Sequence, residues 1–70
     1  MDRIEVQIDG EYIKLDQLLK FSGAIDSGGQ AKLMILNGDV KVNGVVAMER
    51  GKKIRRGDLV EVEDIEIVII

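Results

Sequence analysis

A chain of seventy residues with neither cysteine nor histidine has no disulfide and no ordinary zinc site to hold it together. It must fold on apolar burial alone. A domain of this size removes only about 60% of its unfolded surface from water, so its stability margin is thin. One domain, residues 1–70, is all the length supports. The core supply is adequate, because 46% of positions are hydrophobic. The same two absences remove the commonest general base and the commonest thiol nucleophile. The expectation is a protein that is not an enzyme and carries no cofactor. The only dense group of acids, Glu61, Glu63, Asp64 and Glu66, reads as solvent-facing alternation rather than a catalytic pair. A weak Mg²⁺ site there would need convergent geometry. Arg3, Glu5 and Asp9 interrupt the apolar residues at the N-terminus, unlike a signal peptide. The closing IEIVII run is too short to cross a bilayer. A cytoplasmic protein with no membrane partner is the expected setting.

Periodicity divides the chain. Ile4, Val6 and Ile8 alternate with polar residues, the pattern of a half-buried strand. Asp9-Gly10 is a turn signal that predicts a short return strand at Tyr12-Ile13. Leu15, Leu18 and Leu19 then fall on one helical face, with Asp16 in the first turn and Gly23 placed to end the helix. Ser27 and Gln30 have the spacing of a capping box. Ala31, Met34 and Ile35 give a second apolar stripe, closed by Asn37-Gly38. Two helices joined by a short turn predict a helix-turn-helix-like pair. Asn43-Gly44, between Val40, Val42 and Val45, Val46, predicts a type I′ hairpin, whose central residues both need positive φ. A polar stretch, Glu49 to Arg56, follows. Val60 and Val62, then Ile65, Ile67 and Ile69, predict two further strands, and an uncovered IEIVII edge would invite pairing. The fold class is α+β: two helices packed on a small, mostly antiparallel sheet of four to five short strands. Tyr12 and Phe21, the only aromatic residues, lie in segments with an apolar face and are expected in the core.

The formal net charge of −3 hides a segregated distribution. Residues 1–26 hold three bases and six acids, and residues 58–70 hold five acids and no base. Residues 27–57 hold seven bases, Lys32, Lys41, Arg50, Lys52, Lys53, Arg55 and Arg56, against Asp39 and Glu49. Charges more than about 8 Å apart are largely screened at physiological salt, so a polyanion responds to the basic segment locally. The run RGKKIRR is either a phosphate-binding segment or a solvated loop. With two aromatic residues, both expected inside, the chain has little to stack on splayed bases. A nucleic-acid partner would then be held by shape, phosphates and 2′-hydroxyls, as structured RNA is. Candidate contacts are Lys32, Lys41, Arg50, Lys52, Lys53, Arg55 and Arg56 to phosphates, and Gln30 and Asn43 to a 2′-hydroxyl or base edge. Capping and turn formation are sufficient structural reasons for those last two. The rival reading is a protein–protein interaction module that uses the acidic C-terminal strands and their edge.

From Tyr12 to Val62 the chain resembles the RNA-binding domain named after small-subunit ribosomal protein four. The resemblance rests on Leu15…Leu18-Leu19, on Ser27-Gly28-Gly29-Gln30-Ala31, on Gly38-Asp39-Val40-Lys41-Val42-Asn43-Gly44 and on Gly57-Asp58-Leu59-Val60. One departure is that Gly28 stands where the family usually has Arg, which leaves Lys32 as the nearest base on the second helix. The Gly-Gly-Gln-Ala-Lys version looks like the stand-alone bacterial proteins of the YaaA/YbcJ type. The resemblance implies binding to structured RNA, ribosomal RNA or a tRNA-like fold, and association with assembling ribosomal particles. It implies grip without chemistry.

Overall fold

The alternating residues that open the chain and those that close it lie side by side. The computed structural model describes residues 2–70. Its strands are β1 (Asp2–Val6), β2 (Ile13–Lys14), β3 (Val40–Val42), β4 (Val45–Val46), β5 (Lys53–Ile54), β6 (Leu59–Val62) and β7 (Ile65–Ile69). Its helices are α1 (Leu15–Phe21) and α2 (Gly28–Leu36). Five strands form one sheet in the order β1-β7-β6-β3-β4, and β2 and β5 form a separate two-stranded ladder. Every pairing is antiparallel except β1 with β7. This is the expected α+β architecture.

Two strand expectations need correction. Ile13-Lys14 does not return along β1; it pairs with Lys53-Ile54. The last strand is not an edge either. β7 lies between β1 and β6, and its backbone groups bond on both sides. The reason is the same in both cases. Ile4 and Val6 need an apolar neighbour along a full strand, and the five-residue β7 offers that length where a two-residue return strand does not.

Period-two alternation sorts the sheet into two faces. Val6, Val40, Val42, Val60, Val62, Ile67 and Ile69 are buried on the inner face. Leu15, Leu18 and Leu19 of α1, Ala31 and Ile35 of α2, and Ile25 between the helices pack against them. Among the described residues no polar or charged side chain is buried, so burial carries no unpaired-group penalty. The outer face runs Val46, Lys41, Glu61, Glu66 and Arg3 from one edge to the other, by the strand register.

The helix ends follow local rules. The Ser27 hydroxyl accepts from the Gln30 backbone N–H at 3.2 Å, which is one half of the capping box expected from spacing. After α2, Gly38 adopts φ +81°; its N–H bonds to the Ile35 carbonyl and the Asp39 N–H to the Met34 carbonyl. That is the paired bonding of a Schellman end. The β3–β4 hairpin turns on Asn43 (φ 52°) and Gly44 (φ 83°), as a type I′ turn demands. No helix among the described residues is long and apolar enough to cross a membrane.

Candidate nucleic-acid interface

The basic stretch is not a free loop. Ile54 is fully buried while Lys53 and Arg55 on either side of it are exposed. Burying that one isoleucine draws the segment onto the protein and turns its flanking cations outward. The same segment supplies the start of α1. The position before the helix, Lys14, makes no side-chain cap. Instead the Leu15 N–H donates to the Lys52 carbonyl at 2.9 Å, and the Asp16 N–H donates to the Arg50 carbonyl at 3.0 Å. Two of the donors that every helix N-terminus leaves open are thereby satisfied by the basic stretch itself.

This docking gathers Lys14, Arg50, Lys52 and Lys53 around one helix end. Lys14 and Lys53 face each other directly in the β2–β5 register. Side chains at opposed antiparallel positions start about 5 Å apart, and like charges there are destabilising. Of the four cations, none is in an ion pair; the one salt bridge among the described residues joins Arg3 to Glu66 at 3.9 Å, elsewhere on the sheet. The nearest acids in the chain are Asp16 and Glu49. Asp16 already accepts the Gln17 N–H at 2.8 Å. The Lys53 ammonium lies 4.9 Å from the centre of the Tyr12 ring, a cation–π contact that leaves its positive charge unneutralised.

The other predicted contacts are dispersed. Arg55 is exposed at the next turn, where its backbone N–H bonds to the Asp58 carboxylate at 2.8 Å. Lys32 and Gln30 are exposed on α2, the helix packed against α1. Lys41 lies on the open sheet face directly across from Glu61. Arg56 holds structure: its two terminal nitrogens donate to the Gly10 and Ile8 carbonyls, each at 2.7 Å. Asn43 is also engaged. Its amide oxygen accepts the Leu59 N–H at 2.9 Å and its amide nitrogen donates to Asp58 at 3.0 Å. That pair of bonds locks the hairpin to the turn that begins β6.

Three residues near this site carry no local sequence signal of their place in it. Lys14 belongs by sequence to the acidic first third of the chain, and nothing in local periodicity pairs it with Lys53. Tyr12 and Phe21, expected in the core, are 40% and 68% exposed. In α1 the buried face is already filled by Leu15, Leu18 and Leu19, and Phe21 falls outside that stripe. Among the described residues no group of three or more carboxylates is placed to hold a metal ion.

The family model described as "S4 domain" matches residues 6–70. "Probable ribosome maturation protein RlbA" of Bacillus subtilis (strain 168) is 43% identical over 58 residues, 83% of this chain and 82% of the relative. "Putative RNA-binding protein YbcJ" of Escherichia coli (strain K12) is 43% identical over 49 residues, 70% of each chain. The solution structure of YbcJ from E. coli, reported to reveal an ALFAL motif involved in RNA binding, superposes with a TM-score of 0.65 at 33% identity and covers 97% of this chain and 87% of its own. With the family model spanning nearly the whole chain and relatives this similar over most of their length, the protein belongs to the S4 domain family.

Proposed function

We propose that the protein binds structured RNA, with phosphates seated on Lys14, Arg50, Lys52 and Lys53 at the start of α1. The observation that carries this reading is the unpaired cation cluster, with two lysines held opposite each other by a backbone ladder. A fold gains nothing internally from that juxtaposition. A polyanion turns the repulsion into attraction, and counterions released from its backbone drive the association. Lys32, Gln30, Arg55 and Lys41 form the outlying set, with smaller contributions as their distance from the cluster grows. Arg56 and Asn43 serve the fold, through the hydrogen bonds given above. Ribosomal RNA, or a ribosomal particle during assembly, is the RNA class we favour, supported by the ribosome-maturation name of the B. subtilis relative. The reading assigns binding and no reaction.

The test is a salt titration of binding to an RNA hairpin. Four phosphate contacts give a log–log slope of roughly −3.6 for a duplex, a loss on the order of a hundredfold in affinity between 50 and 200 mM salt. Replacing Lys52 and Lys53 with Ala should flatten the slope by roughly 2. Binding that ignores both salt and those substitutions would remove the basis of the proposal. The competing reading, a protein partner on the acidic outer sheet face, draws on Glu5, Glu61 and Glu66, which lie on that face. It predicts loss of binding on Glu61→Lys and none on Lys52→Ala. Crosslinking in cells followed by sequencing of the attached RNA identifies the partner.

A further inference from the structure

Beside the cation cluster lies a cleft that phosphate binding leaves unexplained. A hollow of about 250 Å³ is lined by Gln7, Ile8, Asp9, Tyr12, Ile13 and Phe21. It adjoins a second of about 410 Å³, bounded by Ile13, Gln17, Lys20 and Phe21. Both exposed aromatic rings of the chain border this one groove. Ile8, Tyr12, Ile13 and Phe21 make much of the lining apolar, and Gln7, Asp9, Gln17 and Lys20 add polar groups to it. Neither the Gln7 nor the Gln17 side chain has a hydrogen-bond partner among the described residues.

We propose that this cleft takes a single unpaired nucleobase of the bound RNA, stacked against Tyr12 and Phe21 with its phosphate held by Lys53. The inference rests on the RNA-binding reading above and narrows it to RNA that presents an extrahelical nucleotide. Three observations select this occupant. Lys53 belongs to the cation cluster and its ammonium sits on the Tyr12 ring, so groove and basic surface are continuous. A nucleotide, with an aromatic face and a negative charge a few ångströms apart, matches both surfaces at once. Asp9, in the lining of the smaller hollow, repels a phosphate but accepts from the exocyclic amino group of a base, and the free amides of Gln7 and Gln17 in the same lining suit base edges. The β1–β2 link that forms one wall is held in place by the Arg56 bonds to Ile8 and Gly10, so the groove is formed before RNA arrives.

The protein carries its own reporter. Tyr12 is the single tyrosine and there is no tryptophan, so intrinsic emission reads this groove alone. The experiment titrates the full chain with two RNA hairpins of equal length, one fully paired in its stem and one with a single bulged adenosine. The expected result is quenching of Tyr12 emission by the bulged hairpin and binding at least about fivefold tighter than to the paired one. Phe21→Ala and Phe21→Leu should each abolish that preference and leave affinity for the paired hairpin unchanged. Phe21 is 68% exposed, so neither change threatens the core. Equal affinity for the two hairpins without quenching overturns the inference and leaves RNA binding standing. Retained preference in Phe21→Leu also overturns it, because apolar cover rather than stacking would be at work. A concentration-dependent dimer that Phe21→Ala disperses assigns the groove to a second copy and overturns it as well. Failure to bind either hairpin sinks both readings.

Discussion

Replacing Arg56 separates a residue that builds the fold from one that touches RNA, although by charge and position it belongs to the basic run. The guanidinium donates to the Ile8 and Gly10 carbonyls at 2.7 Å each, and the Ile8 contact is partly buried. A hydrogen bond from a charged donor contributes about 1.5–3 kcal/mol when shielded. The Gly10 bond is exposed and counts for less, so Arg56→Met should cost about 2 kcal/mol in all. For a domain this size each kcal/mol moves Tm by roughly 4–8 °C, which gives a fall of roughly 8–16 °C by circular dichroism. Arg56→Lys keeps the charge and loses the two-pronged geometry, so it should fall nearly as far. Measured well below Tm, the salt slope of RNA binding should be unchanged in both variants. An unaltered Tm for Arg56→Met, together with a slope flatter by about 1, would refute the reasoning and return Arg56 to the interface.

Two further outcomes are expected. Ile54→Ala removes a fully buried side chain and should cost about 2–5 kcal/mol in a denaturant titration; in the fraction that stays folded, hairpin affinity should fall too, since Ile54 anchors the strand that presents Lys53. Unchanged affinity there would count against the docked basic segment. Gly44→Val places a β-branched residue at φ 83° and should lower stability by about 1–2 kcal/mol; a chemical denaturation midpoint equal to the parent's would contradict the type I′ turn.

Most of the secondary structure was legible because it obeys rules that act over a few residues. The Ser27 cap, the left-handed ends at Gly23 and Gly38, and the Asn43-Gly44 turn each follow from a side chain or a φ value that only a few residue types supply. The two helices and the inner face of the sheet follow from apolar period. Both aromatic residues lie outside the core for a related reason: an apolar period names a face and does not say how much of it the core can accommodate. With three leucines already filling the buried side of α1, Phe21 is left outside.

What the amino-acid order determined by itself is a small α+β domain with its positive charge concentrated between residues 27 and 57. Which of those charges lie together was decided only in three dimensions. Lys14 joins Lys53 through a ladder between distant segments, Arg56 is drawn to the carbonyls of Ile8 and Gly10, and Lys41 is turned to the opposite sheet face beside Glu61. The physical reason is that a charge has no periodicity to reveal its neighbours. Its partners are set by where buried residues such as Ile54 and Leu15 pull the backbone, and that is a property of the packed core.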